Sequence, residues 1–509
     1  MKKIIKQTWI LGFVAFVLTS ILPSCKKQIN LSPENATYDE VFWVDGANVS
    51  KALSGAYSML RDAFRADNSY FIFGDIAANN IQLGSDFWNY TSFVESGRFN
   101  FNYAPYLEGS VKNWSRFYAI ITQCHQIVEK APGIPDSKFS GGAAQKKRMI
   151  GEAKFLRAYL YFYLQRVWGD VILTKETIKD PTNVPAVPRS PESETLAYCL
   201  SDLQSATSML DNSANKTHAN KVSVLALAAQ IYAWKKDYIN AEKYCDSVIN
   251  DSPVSLETMA DYKNIWMGNS QESILELNMK FDAVNNEANS SFFGRFLTSP
   301  YIRNKNANST FLLNPDLLDE IFDKDHTDDR YSTITEAAQG GGRNRMLTKY
   351  TGVDYYDPNA TNTYVVSNNL VLIRLADIYL LRAEVRFMNH KDAAALADLN
   401  MIRTRAGRNI YPLPEDQQPL DPDLRIIEPG FTTELMNERI RELIGEGINM
   451  FDLIRIEDRE TKEKQIVTRF PDAYSDQRIA KKGYYWPLDM RTLLKQDELL
   501  TQNEWWNNN

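Results

Sequence analysis

The stretch VSVLALAAQIYAWKKDYINAEKYCDSVINDSP, residues 222–253, decides how this chain is built. Ala229 and Ala241 stand twelve residues apart, Tyr232 lies about one helical turn beyond the first, and Pro253 closes the segment. Small residues at that spacing let two antiparallel helices touch, and the Pro keeps the second from continuing. Leu370 to Arg405 repeats the spacing with Ala383 and Ala395.

Both segments match the 34-residue tetratricopeptide pattern, although Cys245 stands where that pattern usually has an aromatic. Two readings follow: tetratricopeptide units, or ordinary helical hairpins with alanines at their contacts. Working outward, Ala52, Leu53, Ala56, Met59, Leu60 and Ala63 form one amphipathic stripe, predicting a helix from Val49 to Phe64. Similar stripes predict helices over Trp114 to Glu129 and Ile150 to Trp168. Ser190 reads as an N-cap with Pro191 at the first helical position and Glu192 and Glu194 in the first turn, so a helix should run to about Leu210. Ser273 to Met279 alternates enough for a short strand. Long irregular stretches separate these elements, at Asp67 to Glu108, Asp251 to Tyr364 and Gly407 to Thr433. Loops of that length tend to be functional. The expected fold class is mostly α: a tetratricopeptide-based helical scaffold with long irregular loops and a few short strands.

The first residues concern location. Lys2, Lys3 and Lys6 precede an apolar run from Trp9 to Leu22, and Pro23, Ser24 and Cys25 follow, which is the layout of a secretory signal. The run is shorter than the roughly 20 residues a membrane-crossing helix needs. Leu22-Pro23-Ser24-Cys25 also resembles a bacterial lipobox, which would lipidate the Cys25 thiol; the alternative is an ordinary cleavage site near Cys25. The expectation is a signal peptide over residues 1–24 and a lipidated Cys25 with a polar tether over 25–48. Loss of three Lys and no acid takes the net charge from −7 to −10. No long Lys/Arg run accompanies that charge, which argues against nucleic acid as a partner. Cys124, Cys199 and Cys245 are too few and too odd in number for a disulfide framework, and read as buried thiols.

Catalytic motifs are missing from the sequence. There is no zinc-protease helix pair, nucleophile elbow or phosphate loop, and Gly340-Gly341-Gly342 lacks the Lys-Ser/Thr that would hold a nucleotide. The four His are scattered, and Asp323, Asp325, Asp328 and Asp329 lack the Gly and Glu of a calcium loop, so a solvated turn is the expected reading. No cofactor and no metal are expected. Carboxylate pairs that cleave glycosides are set by distance in space, so sequence leaves a glycoside hydrolase open.

The positive signal is aromatic. Residues 64–106 hold 12 Phe, Trp and Tyr in 43 positions, among Asn, Asp, Ser and Gly. Aromatic faces cover the C–H face of a sugar while amides, carboxylates and Arg bind its hydroxyls. Candidate ligand-binding residues are Tyr70, Trp88, Asn89 and Tyr90 here, with Tyr301 and Arg303 in a second such stretch, Phe292 to Arg303. The competing role for each ring is to pin its loop to the scaffold.

Several segments together resemble the SusD/RagB family of Bacteroidota lipoproteins. They are Glu152-Ala153-Lys154-Phe155-Leu156-Arg157-Ala158-Tyr159 through Trp168-Gly169-Asp170-Val171; Leu375-Ala376-Asp377-Ile378-Tyr379-Leu380 with Ala383-Glu384 and Leu399-Asn400 through Gly407; Glu438-Arg439-Ile440-Arg441-Glu442-Leu443 with Glu446-Gly447 and Phe451-Asp452-Leu453-Ile454-Arg455; and Trp486-Pro487-Leu488 with Leu500-Thr501-Gln502-Asn503. Gly74-Asp75 with Asn79-Asn80 is similar to the family's early loop, where Asp is commoner than Asn79. The resemblance implies an N-terminal helical region over 49–253 and a C-terminal region over 254–509. It also implies an outer-membrane lipoprotein, facing outward, that captures glycan or, less often, peptide for a SusC-like TonB-dependent transporter and breaks no bond. Lys26-Lys27 departs from the acidic residues common after the lipidated Cys in this group. A scaffolding protein without a small ligand is a further alternative. Arg439, Arg441, Glu442 and Glu446 are expected to be architecture, pairing along their helix and with Arg455 or Asp452.

Overall fold

A computed structural model describes residues 39–83, 113–177, 186–279, 290–306, 309–322, 327–339, 341–357, 359–360, 363–417, 429–495 and 497–507. Eight helices make four antiparallel hairpins that pack in series. They are α1 (Gly46–Arg65) with α2 (Ser115–Lys130), α3 (Gly142–Trp168) with α4 (Glu192–Thr207), α5 (Lys221–Trp234) with α6 (Tyr238–Asp251), and α7 (Leu375–Met388) with α8 (Asp392–Arg405). The third and fourth pairs are the two the alanine spacing picks out, and Ala229, Ala241, Ala383 and Ala395 are all fully buried. Two further helices, α9 (Phe431–Leu443) and α10 (Asn449–Arg455), pack against this spine.

Local chemistry sets the helix ends. The Asp45 side chain accepts from Asn48 N–H to start α1, and Asn220 and Ser223 cap each other's backbone at the start of α5. The α4 start differs from expectation: helix begins at Glu192, Pro191 takes the cap position, and Ser190 lies one residue too early to cap, its N–H donating to Val171 O at 2.7 Å. Asp170 takes over from across the loop, accepting from Glu192 N–H at 3.1 Å. Helix α3 ends at Gly169, with φ 75°, where a Cβ would lie 2.7 Å from the Tyr485 ring, so only Gly fits.

Between α6 and α7 the chain leaves the spine. Strand β2 (Ser273–Leu277) pairs antiparallel with β8 (Leu370–Arg374), joining the two ends of the excursion. A second sheet has the order β1 (Ile81–Leu83), β3 (Phe311–Leu313), β5 (Arg345–Leu347), β4 (Thr335–Ala337), and β6 (Val353–Tyr355) pairs with β7 (Tyr364–Val366). The stretch read as irregular therefore holds several strands. Most have only three residues, too few for alternation to register. Cys124, Cys199 and Cys245 are buried free thiols. Among the described residues no helix is long and apolar enough to cross a membrane. Cys25, Trp88, Asn89 and Tyr90 lie outside the described residues.

Candidate functional site

Two polar constructions compete for the role of site. The first centres on α9. Glu442 Oε1 accepts from Arg374 at 2.6 Å, from the Tyr262 hydroxyl at 2.9 Å and from Arg405, while Oε2 accepts from Arg330 at 2.8 Å. Arg330 also holds Asp328 and Glu438, Arg374 and Arg405 share Glu272, and Arg374 and Lys349 share Glu446. Arg441 and Arg403 close the array on Glu434 and Glu438. Six cations (Lys349 and the Arg at 330, 374, 403, 405 and 441) thus face six carboxylates (Asp328 and the Glu at 272, 434, 438, 442 and 446), nearly all buried. The partners of α9 come mostly from other elements, and Glu446 lies beyond its last residue, in a turn with Gly445 and Gly447. Asp328, one of the acidic cluster, serves here and not in a solvated turn; Asp323 and Asp325 lie outside the described residues.

Two carboxylates at the centre of this array, Glu438 and Glu442, are held in their ionised form. Burial pushes the Glu438 carboxyl up, but Arg330, Arg441 and Arg403 pull harder and leave it at about 2. Glu442 likewise sits well below the carboxylate range, because Arg405, Arg374 and Arg330 outweigh its burial. Both stay ionised and bound to guanidinium, with no proton to give.

The turn after α9 is gripped from the N-terminal half. Asp75 accepts from Gly445 N–H at 2.8 Å and from Gly447 N–H at 2.7 Å, and burial raises its carboxyl to about 7 against those two donors and Lys349. Tyr70 donates to Glu446 O and Tyr350 to Gly445 O, each at 2.6 Å. Gly447 has φ 74°, and a Cβ there would meet the Tyr70 ring at 2.3 Å. Tyr70, expected at a ligand face, is 2% exposed and belongs to this junction. Its ring is needed to pack the turn, which removes it from the candidate set. Phe292 and Phe293, from the second aromatic stretch, are likewise buried against Phe71 and Tyr350.

The second construction faces outward. A compact turn folds on itself through Ile302 N–H to Thr298 O and Ser299 N–H to Lys305 O, at 3.0 and 2.9 Å. It carries Tyr301, half-buried, and Arg303, exposed. The Arg303 guanidinium lies 4.2 Å over the Tyr355 ring, and Arg303 N–H donates to the Tyr355 hydroxyl at 2.7 Å. Tyr355 is the cross-strand partner of Tyr364, whose ring covers Gly294. Tyr356 follows, 57% exposed. The Tyr301 hydroxyl donates to Glu336 on β4; burial and that carboxylate raise its pKa, and burial lowers the Lys263 ammonium against the smaller opposing pull of Glu336.

The structure thus brings Tyr301 and Arg303 together with Tyr355, Glu336 and Lys263, none of which the sequence reading named, and Tyr356 follows Tyr355 at the surface. The signal available was Val353-Asp354-Tyr355-Tyr356-Asp357-Pro358-Asn359, two Tyr running into a turn sequence. The end of β1 lies at the same sheet: Leu83, five positions before Trp88, pairs with Phe311, whose ring lies 5.2 Å from that of Phe296.

Comparison with known proteins adds an independent line. A family model described as the SusD family matches residues 254–506, and one described as starch-binding, associating with outer membrane, matches residues 65–233. SusD-like protein P38 of Formosa agariphila is 25% identical over 483 residues, 87% of this chain and 90% of that protein. A SusD-like protein of Bacteroides ovatus is 24% identical over 415 residues, 75% of this chain and 73% of that protein. Among solved structures, a SusD superfamily protein of Bacteroides thetaiotaomicron superposes with a TM-score of 0.72 at 23% identity, covering 91% of this chain and 99% of that one. B. fragilis NanU gives 0.71 at 20%, covering 93% and 99%. At these identities the structural likeness speaks for the fold.

Proposed function

This chain belongs to the SusD/RagB family, and from that premise we propose that it captures glycan at the cell surface and passes it to a partner TonB-dependent transporter. Association with the outer membrane and carbohydrate binding hold at the level of the family; the lipid anchor on Cys25, the outward orientation and the transporter partner are parts of the proposal. The reading is of binding without bond breaking.

The observation that carries it is the exposed Arg303 stacked on the half-buried Tyr355, with the exposed Tyr356 next to it in the chain. Aromatic surface of this kind covers the apolar face of a pyranose, and a guanidinium already ordered by stacking can bind hydroxyls at small entropic cost. Trp88, Asn89 and Tyr90, which follow β1 in the sequence, are proposed as further ligand contacts on the strength of their aromatic and amide chemistry. Moderate affinity suits the task, because cargo must be released to the transporter.

Affinity electrophoresis of the protein from residue 26 onward, in gels containing candidate polysaccharides, tests this. Retention by at least one glycan is expected, weakened by Tyr356→Ala, Arg303→Ala and Trp88→Ala. Retention by none, or sustained release of reducing ends on incubation, overturns the reading. Mass spectrometry of protein from its native membrane should find acylated Cys25, and purification under mild detergent should bring the transporter with it.

A further inference from the structure

The spine has a concavity of its own. Between α4 and the α5–α6 hairpin lies a cleft of about 400 Å3 lined by Leu200, Gln204, Ala228, Tyr232, Lys235 and Tyr244. That volume is within the range of small-ligand clefts, roughly 300–1,000 Å3. No residue of the Arg303–Tyr356 face lines it. Tyr232 and Tyr244, from neighbouring helices, stack with ring centroids 5.3 Å apart and planes 20° from parallel. Lys235 Nζ lies 5.9 Å from the Tyr232 centroid. Among the described residues, the hydroxyls of Tyr232 and Tyr244, the Gln204 amide and the Lys235 ammonium make no hydrogen bond or ion pair with protein.

We propose that this cleft is a second ligand site, shaped for a single hexopyranose ring, neutral or carrying one carboxylate. The tyrosine pair and the aliphatic floor of Leu200 and Ala228 offer apolar surface to the C–H face of a sugar. Two phenols, one amide and one ammonium at its rim supply donors and acceptors for ring hydroxyls. A purely apolar ligand would strip water from Gln204 and Lys235 and return no hydrogen bond. An extended peptide would need a row of side-chain amides to pair its backbone, since helical backbone groups are already paired, and the cleft has one such amide. A highly charged ligand is excluded by a lining with one cation and no carboxylate. The proposal rests on the cleft and not on the outer face.

Saturation-transfer difference NMR of the protein from residue 26 onward tests it, using the methyl glycosides of glucose, galactose, mannose and glucuronic acid as probes. Wild type, Tyr244→Ala, Gln204→Ala and Tyr356→Ala are compared, each checked for native circular dichroism. At least one glycoside should receive saturation from wild type. Tyr244→Ala should cut that transfer by about fivefold, Gln204→Ala should also lower it, and Tyr356→Ala should leave most of it. Gln204 is exposed and unbonded, so its replacement carries the test if Tyr244→Ala unfolds. Transfer to none of the four, or transfer unaltered in both cleft variants, overturns the proposal. Loss confined to Tyr356→Ala does so too, while leaving the outer face standing.

Discussion

The Glu442 array and the Arg303 face use the same residue types, Arg, Tyr and Glu, to opposite ends. Around Glu442 each guanidinium meets several carboxylates away from water, so charge fixes one arrangement of α9, β8 and α8. At the outer face one exposed guanidinium lies on one half-buried ring. The more recognisable part of the sequence belongs to the first region. A motif rich in ionisable groups can therefore mark what holds a fold together, while the proposed binding face rests on unremarkable tyrosines of a hairpin.

The largest test of that contrast removes the centre of the array. Glu442→Ala takes one carboxylate from each of the buried Arg330, Arg374 and Arg405, leaving more cation than anion in the core, and should cost about 3–5 kcal/mol by chemical denaturation. A loss below about 1 kcal/mol would show that the array is dispensable.

Acidity separates the buried carboxylates further. Glu438, at about 2 when folded against an ordinary 4.5, contributes stability that is present above pH 4.5 and lost as pH falls through about 2. Asp75 has the opposite sign. Raised to about 7 from 3.8, it contributes fully below pH 3.8 and loses that contribution as pH rises through about 7. Denaturation midpoints followed from pH 2 to 8 should therefore lose part of their acid slope in Glu438→Gln and part of their slope between pH 4 and 7 in Asp75→Asn.

Smaller effects sharpen the other side of the comparison. Tyr356→Ala should weaken glycan retention by about fivefold and shift stability by no more than about 0.5 kcal/mol. Tyr70→Phe should cost about 1 kcal/mol, the worth of its hydrogen bond to Glu446 O, and leave retention unchanged. Loss of retention in Tyr70→Phe would return that residue to the ligand face.

Much of the spine was legible because helical contacts are local. The stripes of α1 and α2 and the alanines of α5 to α8 repeat at fixed spacing, and their ends moved by only a few residues, except that Leu370–Arg374, read into the second repeat, forms strand β8. Helix α3 is the exception, beginning at Gly142 where the stripe starts at Ile150. The outer face was half legible. Tyr301 and Arg303 stood out within an aromatic stretch, but Tyr355, Glu336 and Lys263 reach the same surface only through tertiary pairing, which leaves no mark on spacing. Tyr70 misled because aromatic density does not distinguish a ring that meets a sugar from one that packs a glycine turn.

The pairing of β2 with β8 brings the two ends of the long excursion together beside the spine, and Arg374 at the end of β8 ties that junction to Glu272 and Glu446. Between those ends Arg330, with Asp328 held to it, Lys349 and Tyr350 are tied to α9 and the turn after it, so an exchange that keeps these four anchors keeps those ties of the helix that follows. Such a socket would let one chassis accept many cartridges, so transplanting the hairpin of β6 and β7 from a relative, with those anchors kept, should carry along any taste for cargo that the proposed face confers.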